Sequence, residues 1–274
     1  MSGGLDGLEI GDAYDGLICG KENGNAFSRR TRRLRTLSAR INLASPVPLA
    51  ENTGVMVSYE DKLNANTAWA IREGSRHFEN DSSVHRALRR ITKRLDELQI
   101  PYALAGGMAL FLHGYRRFTE DVDILVSAES LNKIHANLEG LGYVSPFEGS
   151  KNLRDTVDGV RIEFLVQGQY PGDGKPKEIA FPNPQVCAEE IDGIQCLNLP
   201  TIVQLKLASG TIPSRLRDLG DVQELIRTLH LPENLVTQLH PSVQASYLEL
   251  WKAVAHAPPR STRPVKPFQR QLHC

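Results

Sequence analysis

The sequence predicts an α/β domain built on a small mixed sheet, and three observations carry that prediction. Short apolar runs of strand period, such as residues 121–126 and 160–166, alternate with longer runs of helical period, such as 84–98 and 215–229. Glycines and prolines punctuate the runs, most clearly at Pro101, Gly106-Gly107, Asp158-Gly159 and Pro200. The 274 residues are 41% hydrophobic, enough to bury a good-sized core with extensions or two small domains.

Charge and cysteine content narrow the class. Lysine plus arginine equals aspartate plus glutamate at 32 each, so no overall bias draws the chain to nucleic acid or membrane. Cys19, Cys187, Cys196 and Cys274 are scattered without a C-x-x-C pair, which predicts free thiols. No apolar run approaches the roughly 18 residues that span a bilayer. The opening M-S-G-G-L-D-G-L-E lacks a secretory pattern, so the expected location is cytoplasmic.

Residues 1–75 lack sustained periodicity and are rich in Gly, Asn, Ser and charge, which predicts a loosely ordered extension. Within it Ser28 to Arg40 (S-R-R-T-R-R-L-R-T-L-S-A-R) reads as a solvated basic tail or as an arm drawn to RNA. A core is expected over 76–199. Val84, Leu88, Ile91, Leu95 and Leu98 recur at steps of four and three, a helix that Asp81, Ser82 or Ser83 can cap. Arg86, Arg89, Arg90, Lys93 and Arg94 fill its other positions as a solvated face or a polyanion contact. Pro101 breaks this helix and launches the first strand.

A helix is expected over 129–141, ended by Gly140 and Gly142, with a strand from Tyr143. Asp158-Gly159 between alternating runs predicts a type I′ hairpin. Its returning strand sets Val160, Ile162, Phe164 and Val166 on one face, with Arg161, Glu163 and Leu165 on the other. Residues 168–185 read as a Pro/Gly-rich boundary loop, and a strand follows around 194–197. A helical subdomain is expected over 200–257, and residues 258–274 form a Pro- and Arg-rich tail expected to lack order.

The chemistry concentrates between Tyr102 and Val126 (Y-A-L-A-G-G-M-A-L-F-L-H-G-Y-R-R-F-T-E-D-V-D-I-L-V). Asp121 and Asp123 are spaced i, i+2 and share one strand face, while Val122 and Ile124 face the core. Two like charges on one face make poor packing and a good seat for a hard divalent cation such as Mg²⁺. Gly106 and Gly107 let the backbone approach a ligand, and the helix after them offers N–H groups to a phosphate. Arg116 or Arg117 could clamp a triphosphate, and Thr119 could bind phosphate or fix its loop. His113 reads as a helix cap.

Ala105-Gly106-Gly107, a gap over 108–120 and then Asp121-Val122-Asp123-Ile124 resemble the signature of the DNA polymerase beta-like nucleotidyltransferase superfamily. The resemblance implies a nucleotidyltransferase fold, a small mixed sheet flanked by helices with a C-terminal helical subdomain. It implies transfer of a nucleoside monophosphate from an NTP such as ATP, with two Mg²⁺ ions held by Asp121, Asp123 and a third carboxylate. Glu163 is the candidate for the third, where the family more often carries Asp. The segment L-P-T-I-V-Q-L-K-L-A-S-G followed by R-L-R-D-L-G-D-V-Q-E-L-I resembles a bacterial subgroup that includes abortive-infection toxins of toxin–antitoxin pairs. That implies phosphate binding by Lys206, orientation by Asp218 or Asp221, an RNA or tRNA acceptor and an antitoxin-like partner. A protein hydroxyl or a small molecule also remains open as acceptor. The alternative is a nucleotide- or partner-binding protein on the same fold without turnover.

Overall fold

The structure, a computed structural model, describes residues 57–257. The basic run 28–40, Cys19, Cys274 and the tail 258–274 lie outside the described residues. In chain order the elements are α1 (Tyr59–Ala65), α2 (Thr67–Phe78), α3 (Ser83–Glu97), β1 (Ala103–Ala105), α4 (Gly106–Leu112), β2 (Asp121–Val126), α5 (Ala128–Leu138), β3 (Tyr143–Val144), β4 (Leu153–Asp155) and β5 (Arg161–Val166). They continue with α6 (Pro184–Cys187), β6 (Ala188–Ile191), β7 (Ile194–Leu197), α7 (Leu199–Gly210), α8 (Leu216–Leu229) and α9 (Pro241–Ala255). Short 3₁₀ turns at Pro213–Arg215 and Glu233–Gln238 join the last helices.

The seven strands form one mixed sheet in the order β3-β4-β5-β2-β1-β7-β6, which bears out the α/β expectation. β2 and β5 are central and parallel, with Asp121 opposite Arg161 and Asp123 opposite Glu163. β1 runs antiparallel to β2 and pairs parallel with β7. Alternation sorts the faces as the sequence predicts: Val122, Ile124, Ile162 and Phe164 are buried, while Asp121, Asp123, Arg161 and Glu163 are partly open.

α3 lays Val84, Leu88, Ile91 and Leu95 into the core, and its cap is Ser82, which accepts from His85 N. Asn198 caps α7, with a proline in its first turn. The closing helices bury Tyr247, whose hydroxyl donates to Pro232 O, and tie Trp251 Nε1 to Leu231 O. Cys187 and Cys196 are free and buried, and burial pushes their thiols up to about 11 and about 12. Among the described residues no helix is long and apolar enough to cross a membrane.

Three local expectations change. Residues 59–75, read as loosely ordered, lie in α1 and α2, capped by Ser58 and Asn66. Their order comes from long-range contacts: Tyr59 N donates to Gly159 O, Glu60 pairs with Arg154, and buried Glu73 accepts from Ser83 N at the start of α3. The Asp158-Gly159 turn closes the β4–β5 hairpin, but only Gly159 of the pair takes a left-handed φ (78°), so the turn is not type I′. Tertiary ion pairs compete for Asp158 there: its carboxylate is held by Arg86 at 2.7 Å and Arg90 at 2.6 Å. The type I′ pattern occurs instead at Asp192-Gly193, both at positive φ (52° and 77°), joining β6 to β7. Arg86 and Arg90 of α3, with Asp155 as a further partner of Arg90, are therefore engaged within the fold.

Candidate active site

The C-terminal end of β1 and the N-terminal ends of β2 and β5 bring the predicted carboxylates together. Among the described residues, Asp121, Asp123 and Glu163 form the one acidic or histidine group able to share a metal, with oxygens within 4.8 Å of one another. The parallel register does this: Asp123 stands beside Glu163 one strand over, and Asp121 lies two residues earlier on the same face.

The surroundings are shaped for that cluster. Gly106 has φ +59°, and a Cβ there would lie 1.7 Å from Asp123 Oδ2. A Cβ on Gly107 would lie 2.6 Å from the Thr119 side chain. Both glycines are thus demanded by close approach, to the acid and its support rather than to a ligand alone. Thr119 is buried and donates through Oγ1 to Asp121 Oδ1 at 2.8 Å, so it fixes the first acid of the cluster. Burial first, then the charges of Asp121 and Glu163, push the Asp123 carboxyl up to about 7, while Lys206 and Arg117 pull the other way. A divalent cation relieves that repulsion, and an all-oxygen donor set on one sheet face suits Mg²⁺.

A cleft of about 600 Å³ opens over this face. Gly106, Gly107, Arg117, Thr119, Lys206 and Asp218 all line it, beside the three acids. So do residues that sequence reading passed over. The loop expected as a boundary contributes Gln169, Tyr170 and Gly172, the turn into α8 contributes Arg215, and the first turn of α8 contributes Arg217. Gly172 is tight against α7 and the turn after it: a Cβ there would meet Ile212 Cδ1 at 2.4 Å. The Pro/Gly composition that suggested a linker therefore serves a close-packed cleft wall.

Lys206 sits at the junction of α7 and α8. Its Nζ donates to Asp218 Oδ1 at 2.9 Å and Asp221 Oδ2 at 2.7 Å. Arg117 Nη2 reaches Asp221 Oδ2 at 3.2 Å, and Arg215 Nε reaches Asp218 Oδ2 at 2.9 Å. Burial alone would raise the Asp218 carboxyl, but Lys206, the Ser209 hydroxyl and Arg215 outweigh it and hold it below the usual range. A lysine in an apolar helix needed a partner, and it has two.

Arg117 is held from behind by an uncharged chain. The partners fix the tautomers: His77 Nε2 donates to Arg117 O at 3.0 Å, and His77 Nδ1 accepts from Ser82 Oγ. Ser82 Oγ accepts in turn from His85 Nδ1 at 2.9 Å. Burial is the main cause that lowers both imidazoles, His85 to about 4. Arg116 instead stacks over the Phe111 ring at 5.3 Å. His113 caps α4 as expected, its Nε2 donating to Leu197 O at 2.7 Å. That contact ties α4 to the end of β7.

No family model matches the chain, and no curated protein matches it. Among solved structures, the fold is similar to ANT(2")-Ia in complex with adenylyl-2"-tobramycin, at 16% identity over 60% of this chain and 96% of that one, TM-score 0.41. A Thermotoga maritima protein provisionally classed as a nucleotidyltransferase is 19% identical over 52% of this chain and 91% of its own, TM-score 0.38. An antigenic nucleotidyltransferase-like protein from Paracoccidioides brasiliensis is 20% identical over 61% and 94%, TM-score 0.32.

Proposed function

We propose that this protein is a Mg²⁺-dependent nucleotidyltransferase, and one observation carries the reading. Asp121, Asp123 and Glu163 stand in register on adjacent parallel strands, converge within 4.8 Å and face a cleft large enough for a nucleoside triphosphate. Nothing in packing accounts for three such carboxylates on one face. The Gly-Gly and Asp-x-Asp pattern supports the same reading from the sequence side.

In the reaction an acceptor hydroxyl gives up its proton to solvent as its oxygen bonds to the α-phosphorus, the bond from that phosphorus to the bridging oxygen breaks, and pyrophosphate leaves. Asp121, Asp123 and Glu163 would hold two Mg²⁺ ions, whose charge would offset that developing on the phosphates. Glu163 lines the cleft and would help activate the acceptor hydroxyl. Gly106 and Gly107 leave backbone room for the phosphates. Arg117 and Lys206 present cationic groups to the cleft, with Asp218 and Asp221 setting their positions. RNA or tRNA, a protein hydroxyl and a small molecule are the acceptor classes, and a toxin-like role with an antitoxin-like partner and a cytoplasmic setting belongs to this reading.

A second reading, a nucleotide-binding protein without turnover, is favoured by the ion pairs that Arg161 makes with Asp121 and Glu163. Incubation with each labelled NTP and Mg²⁺ or Mn²⁺ in cell extract separates the two. The enzyme labels an acceptor and Asp121→Asn/Asp123→Asn does not; absence of label in every combination, with nucleotide still bound, leaves the second reading. Growth arrest on expression, lost in the same variant, tests the toxin-like role.

A further inference from the structure

The acidic triad has a cation of its own. Arg161 lies two residues before Glu163 on the same face of β5 and opposite Asp121 in the ladder. Its Nη2 is 3.1 Å from Asp121 Oδ2, and its Nε is 3.1 Å from Glu163 Oε1. That Nε–H is buried and makes no hydrogen bond, so the ion pair to Glu163 is misaligned. Glu60 of α1 is also near, with Oε1 3.8 Å from the same Nε. The second oxygen of Glu60 is fixed by Arg154 Nη1 at 2.7 Å. Arg161 thus has two acidic sites within reach, the triad and the carboxylate of Glu60, which Arg154 of β4 anchors.

We propose that Arg161 is an internal counter-ion that occupies the triad and yields it to the metal, with Glu60 as its receiving site. The proposal rests on the metal-dependent reading above. A guanidinium and a divalent cation cannot share the oxygens of Asp121 and Glu163, because the charges repel and the lone pairs are the same. The guanidinium need not leave the site, since Nε already lies 3.8 Å from Glu60 Oε1. Free metal alone must displace Arg161. Metal arriving with a triphosphate brings negative charge that favours the exchange. Cation and nucleotide therefore load together, and Glu60 gives α1 a part in that order. Arg161 is a positioning residue here.

The test uses the full chain and Mn²⁺ alone, with bound metal read by electron paramagnetic resonance or calorimetry and no nucleotide present. Arg161→Gln is expected to bind Mn²⁺ about tenfold tighter than wild type, and Glu60→Gln several-fold weaker because Arg161 loses its alternative partner. Arg161→Lys keeps the charge and is expected to stay near wild type. Thermal unfolding in EDTA reports that each variant is folded. Arg161→Gln binding no tighter than wild type overturns the counter-ion role, and Glu60→Gln matching wild type overturns the receiving site. Should Asp121→Asn/Asp123→Asn bind like wild type, the metal reading itself fails and the proposal with it. Binding by Arg161→Gln where wild type shows none supports the proposal; no binding by either at millimolar Mn²⁺ removes both.

Discussion

Two ionic clusters face the same cleft and are built on opposite principles. At the sheet, three carboxylates meet a single guanidinium, and Asp123 is driven toward its neutral form by burial and by its acidic neighbours. At the α7–α8 junction, Asp218 and Asp221 are matched by Lys206, Arg117 and Arg215. The first cluster carries more negative charge than its one guanidinium offsets; the second pairs both of its carboxylates with cations. Excess like charge at a partly open site marks a ligand, whereas balanced buried charge marks architecture that also presents cations to that ligand.

The largest effect expected from this contrast is at Asp123. Asp123→Asn should lower nucleotidyl transfer about 10³-fold or more, measured with labelled NTP, while leaving the metal-free fold as stable as wild type or more so. Marked destabilisation in EDTA would instead make the triad a structural cluster. Lys206→Met should do the reverse. It strands two buried carboxylates and should cost about 3–5 kcal/mol in urea unfolding, with Lys206→Met/Asp218→Asn/Asp221→Asn recovering most of the loss. Near-wild-type stability with a raised KM for NTP would move Lys206 from architecture to ligand binding.

Acidity separates the clusters further. The Asp123 carboxyl takes up its proton at about 7 in the metal-free fold but near 4 in the unfolded chain. Between those values the folded state holds more protons, so this group's contribution to stability falls as pH rises. His85 works oppositely: lowered to about 4, it leaves the unfolded chain holding more protons below about 6.5, and stability falls as pH falls. In EDTA, melting of Asp123→Asn should therefore lack the decline toward pH 7 and keep only the acid-side loss. A difference of several degrees is expected, since each kcal/mol moves Tm by about 2–4 °C in a domain of this size. Saturating Mn²⁺ should remove the same decline from wild type; persistence of the decline in Asp123→Asn would assign it elsewhere. The smallest effect belongs to Thr119→Val, which loses the hydrogen bond to Asp121. It should cost about 1 kcal/mol, read as a roughly fivefold fall in kcat/KM. A loss confined to stability would show that Thr119 serves the loop alone.

The comparison also shows which residues could be read from sequence. Asp121, Asp123 and Glu163 were legible because period-two alternation puts an acid on the polar face of an otherwise apolar strand, and this needs no knowledge of the partner strand. Lys206 was legible as a charge in an apolar helix. Arg161 was seen on the right face, yet its place between the triad and Glu60 depends on α1, in a stretch whose composition gave no helical signal. Of the two Asp-Gly pairs that join adjacent strands among the described residues, the one embedded in the clearer alternation does not form the type I′ turn, because Arg86 and Arg90 bind Asp158 across the fold. The overlooked pair does form it, where the strands meet directly.

By itself the sequence determined the alternation of strands and helices, the faces that each strand shows to core and solvent, and the identity of the three acids. These follow from backbone periodicity and local sterics, which act over a few residues. Tertiary structure alone decided that Asp123 stands beside Glu163, that the 168–185 segment walls the cleft, and that Lys206 is claimed by two aspartates. It also decided that Glu60 lies within reach of Arg161. Those are through-space electrostatic contacts between residues far apart in the chain, and no local pattern encodes the distance between them.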